Sequence, residues 1–234
     1  MRYKAQISCV TPFTAYNKIV SIPQCYMGIS LGQPNFIGER LKAVLDWISK
    51  HSERCLLVVG DDLQRINVMI DRRVNEKEAL SIARRLGDTE IDILSRMLLD
   101  YDDGKFIIAR WKELMERDQF TVYQNQLRKL CKNDADFNGS IIKSAKSFVK
   151  RRLQRGEISS TDEHVAVRLS TAYLLEEITV FCLLASEGWN VEIYPGPELP
   201  VLEEIAKGLH SGVPSPLKER VNIALKVTEV SNTQ

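Results

Sequence analysis

The sequence predicts an α/β fold, a single Rossmann-like domain with a mostly parallel sheet and surrounding helices. Three observations predict it. Residues 55–60, CLLVVG, are continuously apolar without alternation, which suits a central strand buried on both faces. Residues 25–30 read as a strand that ends in the glycine-rich stretch GISLGQPN. Between the two strands, residues 36–49 have helical periodicity, with Leu41, Val44, Leu45 and Ile48 on one side. A strand, loop, helix and strand in that order imply a right-handed crossover between parallel neighbours.

The remaining elements follow in order. Residues 3–10 read as a first strand, residues 75–100 as a helix and residues 105–110, KFIIAR, as a strand. Helical stretches cover residues 118–132 and 140–154, and a strongly apolar helix covers residues 163–186. Residues 191–194 form a short strand broken by Pro195, and the alternating residues 219–230 suit an edge strand. No stretch rich in Gly, Ser and Pro divides the chain, so one domain over residues 1–234 is expected.

Composition narrows the function. The net charge is +1, so any attraction to nucleic acid has to come from a local patch. Five cysteines, an odd count with no CxxC pair, argue against a disulfide framework or a zinc site and fit a reducing cytoplasm. The first residues, MRYKAQISCV, have no long apolar core, and no apolar run of spanning length stands out, so a soluble cytoplasmic protein is expected.

Gly28-Ile29-Ser30-Leu31-Gly32 lies where a strand gives way to a helix, the position at which open α/β sheets bind ligands. Glycines beside a serine permit a sharp turn and close approach of substrate, and backbone N–H groups there can hold an oxyanion. A plain turn with a capping serine explains the pentapeptide equally well. The same residues match the nucleophile elbow of serine esterases, which need a later acid and histidine. His164 and His210 are the candidate histidines late in the chain, and no HGGG-type stretch is present.

The apolar helix carries Tyr173, Glu176 and Glu177. Tyr173 and Glu177 are four apart and share a face. A buried ionised glutamate needs a cation, and the helix has no Lys or Arg after Arg168. A substrate ammonium group would serve; a solvated stripe or a distant arginine would serve too. Gly28, Val58 and Gly60 are candidates for a substrate pocket near the serine loop. Asp61 and Asp62, after the CLLVVG strand, suit a helix N-cap better than a metal site. Residues 137–156 contain no acid, and Lys143, Lys146 and Lys150 form a basic stripe beside Arg151. Ile142, Ala145, Val149 and Leu153 form the adjoining apolar face. The stripe is a candidate for phosphate contact.

Gly28 to Gly32, Tyr173 with Glu177, and the pair Tyr194-Pro195 occur in an order that resembles the tRNA-dependent cyclodipeptide synthases. Gln33, three after the serine, is not asparagine, and Pro195 follows the last tyrosine, so the chain resembles the Tyr-Pro branch. The resemblance implies a fold similar to the class I tyrosyl- and tryptophanyl-tRNA synthetase catalytic domain, without ATP or metal as cofactor. It implies aminoacyl-tRNAs as substrates, joined into a cyclic dipeptide through aminoacyl- and dipeptidyl-enzymes on Ser30. Glu177 and Tyr173 would hold the α-ammonium, and Tyr194 would serve cyclisation. Gln33 would lie in the pocket. Basic residues of the helix at 75–100, here Arg84 and Arg85, would touch tRNA, although Asp88, Glu90 and Asp92 dilute them.

Overall fold

The structure is a computed structural model that describes residues 1–18, 22–102, 104–159 and 162–230. A six-stranded sheet runs in the order β1 (Arg2–Thr11), β6 (Val221–Val230), β5 (Val191–Tyr194), β2 (Ile22–Ile29), β3 (Ser52–Val59) and β4 (Phe106–Arg110). Strands β6, β5, β2, β3 and β4 are parallel neighbours, and only β1 is antiparallel. The expected mostly parallel sheet is therefore present.

Both faces of the sheet are covered, which explains the unbroken apolar runs. Cys25, Met27, Ile29, Cys55, Leu57 and Val59 point to one face, where α1 (Gly38–His51) packs with Leu41, Val44, Leu45 and Ile48 fully buried. Tyr26, Leu56 and Val58 point to the other. That face is covered by α2 (Asp61–Arg72), α4 (Trp111–Met115), α5 (Asp118–Asn133), α6 (Ala135–Gln154) and α7 (Glu163–Ser186). Helix α7 is apolar and long enough to cross a membrane by length and composition, contrary to the expectation that no such run exists. Its apolar residues Ile178, Val180, Leu183 and Leu184 are fully buried, so it is the core helix of this face.

Three sequence expectations change. Strand β6 is an interior strand, paired with β5 on one side and β1 on the other. Only its residues Val221–Ala224 pair with β5, and the buried stretch Asn222–Leu225 largely overlaps them. The later residues pair with β1 alone, and that half supplies the alternation that suggested an edge. Helix α2, not read from the sequence, occupies residues directly after β3. In α6 the buried apolar residues are Phe137, Ile141, Ala145 and Val149, so the apolar face is centred on Ile141 rather than Ile142.

Asp61 and Asp62 are not caps; Gly60 holds the N-cap position of α2. The two carboxylates are buried in the first turn, where the positive end of the helix favours them. Arg110 donates to Asp61 at 2.7 Å, and Arg84 of α3 (Glu76–Met97) reaches Asp62 through two bonds of 2.8 Å. Among the described residues no group of three or more His, Cys, Asp or Glu is arranged to hold a metal. Helix α3 approaches this turn so closely that a Cβ on Gly87 would lie 2.5 Å from the Asp61 Cβ. Alanine is the better helix former by about 1 kcal/mol, but overpacking typically costs about 1–3 kcal/mol. Gly87→Ala is therefore expected to lower the melting temperature, as thermal unfolding followed by circular dichroism would show.

Candidate active site

In the sheet, β3 and β4 lie to one side of β2, and β5 and β6 lie to the other. The strand order reverses between β2 and β5, and this opens a crevice beyond their carboxyl ends. Ser30 follows the last residue of β2, and Tyr194 is the last residue of β5. Their hydroxyl oxygens are 3.5 Å apart.

Local structure fixes both residues. Gly32 has φ 76°, a left-handed conformation that glycine adopts without strain, and the chain turns there toward α1. The Gln33 N–H donates to the Ser30 carbonyl at 3.3 Å and closes the turn. Asn35 Nδ2 donates to the Pro195 carbonyl at 2.6 Å, so the serine loop is tied to the tyrosine turn. The Tyr194 ring packs on Phe36, with centroids 5.8 Å apart. Gly196 also lies close to this ring, and a Cβ there would come within 2.9 Å of it.

A cavity of about 510 Å³ opens between these residues and α7, lined by Ser30, Gln33, Tyr173, Glu177 and Tyr194 among others. The two adjacent glutamates of α7 have different fates. Glu176 accepts two bonds from Arg65 of α2, at 2.9 and 2.8 Å, and one from the Trp111 indole N–H at 2.9 Å. It is the carboxylate with a distant arginine. Glu177 faces the cavity, and no described residue hydrogen-bonds to it. Burial, reinforced by the nearby charge of Glu192 and partly offset by Arg220, pushes its pKa up to about 8. Burial also raises the Tyr194 phenol, against the opposing effect of its Ser30 contact, and raises the Tyr173 phenol, with Glu177 adding to the shift.

Of the other expected pocket residues, only Gln33 lines the cavity. Val58 is packed into the core beneath the helices. The Gly60 N–H is used on the Ile29 carbonyl at 3.3 Å, joining the ends of two strands. Gly28 leaves open space where a side chain would stand, since a Cβ there meets nothing within 4 Å.

The histidines of an esterase are not in place. His164 is exposed in the first turn of α7. His210 is buried against Phe137 and pairs with Glu204 at 3.2 Å. Neither lines the cavity.

The basic residues divide in two. Arg84 is occupied by Asp62, and Arg85 is exposed on α3; neither lines the cavity. Lys143, Lys146 and Lys150 are exposed on α6 and border a shallow surface depression with Ser147. Ser147 and Arg151 also line the cavity, so the basic face runs to its rim. Among the described residues, Lys146, Lys150 and Arg151 have no acidic partner.

Sequence reading missed a group of polar residues inside the cavity: Glu192, Glu198, Arg220 and Asn222. The signal was present, because Glu192 and Asn222 interrupt strand segments otherwise made for burial on both faces.

Comparison with known proteins gives the family and the fold. The family model for cyclodipeptide synthase matches residues 10–187. No curated protein matches the chain. The structure of a cyclodipeptide synthase from Fluoribacter dumoffii is 23% identical with a TM-score of 0.78, covering 97% of this chain and 100% of that one. The synthase from Candidatus Glomeribacter gigasporarum, solved bound to Phe-tRNAPhe, is 18% identical with a TM-score of 0.64, covering 97% and 96%. Tyrosyl-tRNA synthetase from Archaeoglobus fulgidus, in complex with L-tyrosine, is 10% identical with a TM-score of 0.57, covering 93% of this chain and 60% of that one. The fold is thus shared with a class I tRNA synthetase. With more than half of its length matched by the family model, this chain belongs to the cyclodipeptide synthases.

Proposed function

We propose that the enzyme joins the aminoacyl groups of two aminoacyl-tRNAs into a cyclic dipeptide, with Ser30 carrying the growing peptide. The observation that carries this reading is the meeting of Ser30, Tyr194 and the unpartnered Glu177 in one cavity whose rim is basic. The Tyr-Pro branch assignment rests on Gln33 and the buried Pro195. A single domain over residues 1–234 and a cytoplasmic location belong to the same reading.

The steps balance on these residues. Ser30 Oγ attacks the ester carbonyl of the first substrate; the bond to the tRNA ribose breaks, and the serine proton goes to the departing ribose oxygen. The α-ammonium of the bound residue favours the ionised form of Glu177, which then pairs with it. For the dipeptide to remain on Ser30, the amine of this bound residue has to attack the second ester; the bond to the second tRNA ribose breaks, and the departing ribose oxygen takes up the proton that the amine loses. Attack by the second amine on the serine ester would instead move the dipeptide onto tRNA. The attacking amine has to lose a proton, and Glu177, near pH 8, is matched to an α-amino group of about 7.7–8.0. In the last step the terminal amine of the dipeptide attacks the Ser30 ester. Tyr194, protonated and 3.5 Å from Ser30 Oγ, is placed to protonate the departing serine oxygen.

Mass spectrometry on a host expressing the chain is expected to detect diketopiperazines that vanish with Ser30→Ala. The intact-protein acyl adduct should vanish with them. Synthesis that persists without the serine would exclude this role.

Glu177 also links activity to stability. In the unfolded chain a glutamate ionises near about 4.3, whereas in the folded chain Glu177 keeps its proton to about pH 8. Between those values the folded chain binds more protons, so stability falls as the pH rises through that window and levels off above it. Glu177→Gln removes this slope. The variant is expected to lose synthesis yet melt above the parent at pH 9, by about 2–4 °C per kcal/mol relieved. The two proteins should converge near pH 4–5.

Lys146→Ala with Lys150→Ala should weaken aminoacyl-tRNA binding and flatten its dependence on salt. For each phosphate that the variant leaves unneutralised, the slope of log K against log salt should fall by about 0.7–0.9. Binding titrations at several salt concentrations would measure it, and an unchanged slope would remove these lysines from the tRNA path.

A further inference from the structure

The floor of the cavity is a polar row built across three strands. Tyr26 of β2 is the register partner of Glu192 in β5, and Glu192 is the partner of Asn222 in β6. Arg220 donates to Glu192, to Glu198 Oε1 and, at 3.1 Å, to the Tyr26 hydroxyl, and its guanidinium lies 5.0 Å from the Phe181 ring centroid. The side chains of Arg220, Glu192 and Glu198 are 5%, 5% and 3% exposed, and Asn222 is 2% exposed.

The row is not self-sufficient. Two carboxylates, Glu192 and Glu198, face one guanidinium. Glu198 Oε2 and Asn222 Oδ1 are buried without a hydrogen-bond donor among the described residues. A purely structural ion pair would leave neither a surplus acid nor two idle acceptors. Glu192 lies two residues before Tyr194, about 6.6 Å down the strand. Gly28 keeps the space above β2 open between Ser30 and the row. An aminoacyl group on Ser30 thus has a free path downward, and its side chain ends where donors are lacking.

We propose that one of the two residues joined by this enzyme carries a cationic, hydrogen-bond-donating side chain, as in Lys, Arg or protonated His, seated on Glu198 and Asn222. The inference rests on the Ser30 reading above. An anionic side chain would meet the acidic surplus, and an aliphatic one would seal both acceptors away from any donor. A site built on hydrogen bonds discriminates strongly against residues that lack the donor, here by about 10²-fold or more.

The test supplies the purified full chain with tRNA charged with all proteinogenic amino acids and reads the diketopiperazines by mass spectrometry. The parent is expected to form products that contain a basic residue. Asn222→Leu, which breaks no side-chain hydrogen bond found in the structure, should shift the product ratio at least tenfold toward uncharged residues. Glu198→Gln, which retains an acceptor for Arg220, should shift it in the same direction. Products built only from uncharged residues would overturn the inference while leaving the Ser30 reading intact. So would basic residues incorporated equally by the parent and both variants. Absence of any diketopiperazine from the folded parent would instead overturn the Ser30 reading, and this inference with it.

Discussion

Helix α7 has to cover the helical face of the sheet, and it carries two adjacent carboxylates into that interior. The fold tolerates the pair because the two are treated unequally. Glu176 is neutralised by Arg65 and the Trp111 indole, which also fix α7 against α2. A buried bidentate pair of this kind contributes little to net stability, but removal of one partner strands the other charge. It therefore sets the rotation of α7 about its axis. With Glu176 held toward Arg65, the next residue is turned into the cavity, and Tyr173 follows one helical turn earlier on the same face. The paired glutamate positions the one that faces the cavity.

The second constraint comes from the sheet. Strands β2 and β5 leave their carboxyl ends side by side at the reversal of strand order, and this fixes Ser30 and Tyr194 on rigid elements. The bond from Asn35 to the Pro195 carbonyl then couples the two turns directly. Four side chains from three parts of the chain thereby converge, and among the described residues no histidine lines their cavity. In the proposed reaction, proton transfer falls to groups whose acidity the interior has altered: a carboxyl raised toward the range of an amine, and a phenol held protonated. This is acid–base chemistry tuned by burial rather than by residue type.

The parallel core and its main helices were legible in the sequence because burial on both faces leaves a continuous apolar run that nothing else explains. CLLVVG and the residues 163–186 are the clearest instances. Ser30, Tyr173, Glu177, Tyr194 and Gln33 were legible as well, and the structure gathers all of them around one cavity. The pocket wall was not. Val58 and Gly60 lie at the end of the right strand, but side-chain direction alternates along a strand and the helices cover that stretch. The real floor, Glu192 with Arg220 and Asn222, is assembled from residues about 30 positions apart and faces β2 across a register that sequence does not specify. The interior place of β6 was hidden for a related reason. Its C-terminal half pairs only with β1 and alternates as an edge strand does.

Charge in this molecule is sorted rather than abundant. The net charge of +1 supplies no long-range field. Locally, Glu192 and Glu198 against the one guanidinium of Arg220 make the cavity floor acidic, while Lys146, Lys150 and Arg151 make its rim and outer face basic. The proposed substrate has the complementary polarity, with an ammonium at one end of a short ester and a polyphosphate at the other. A ligand that entered the wrong way round would bring phosphate to buried acids and an amine to surface lysines, and both contacts are repulsive. The sorting therefore selects orientation before any pocket contact forms. It also explains why Glu177 is left without a protein cation. An arginine there would neutralise the acid permanently, deny the amine its seat and lower the carboxyl out of the range in which it can accept a proton from that amine.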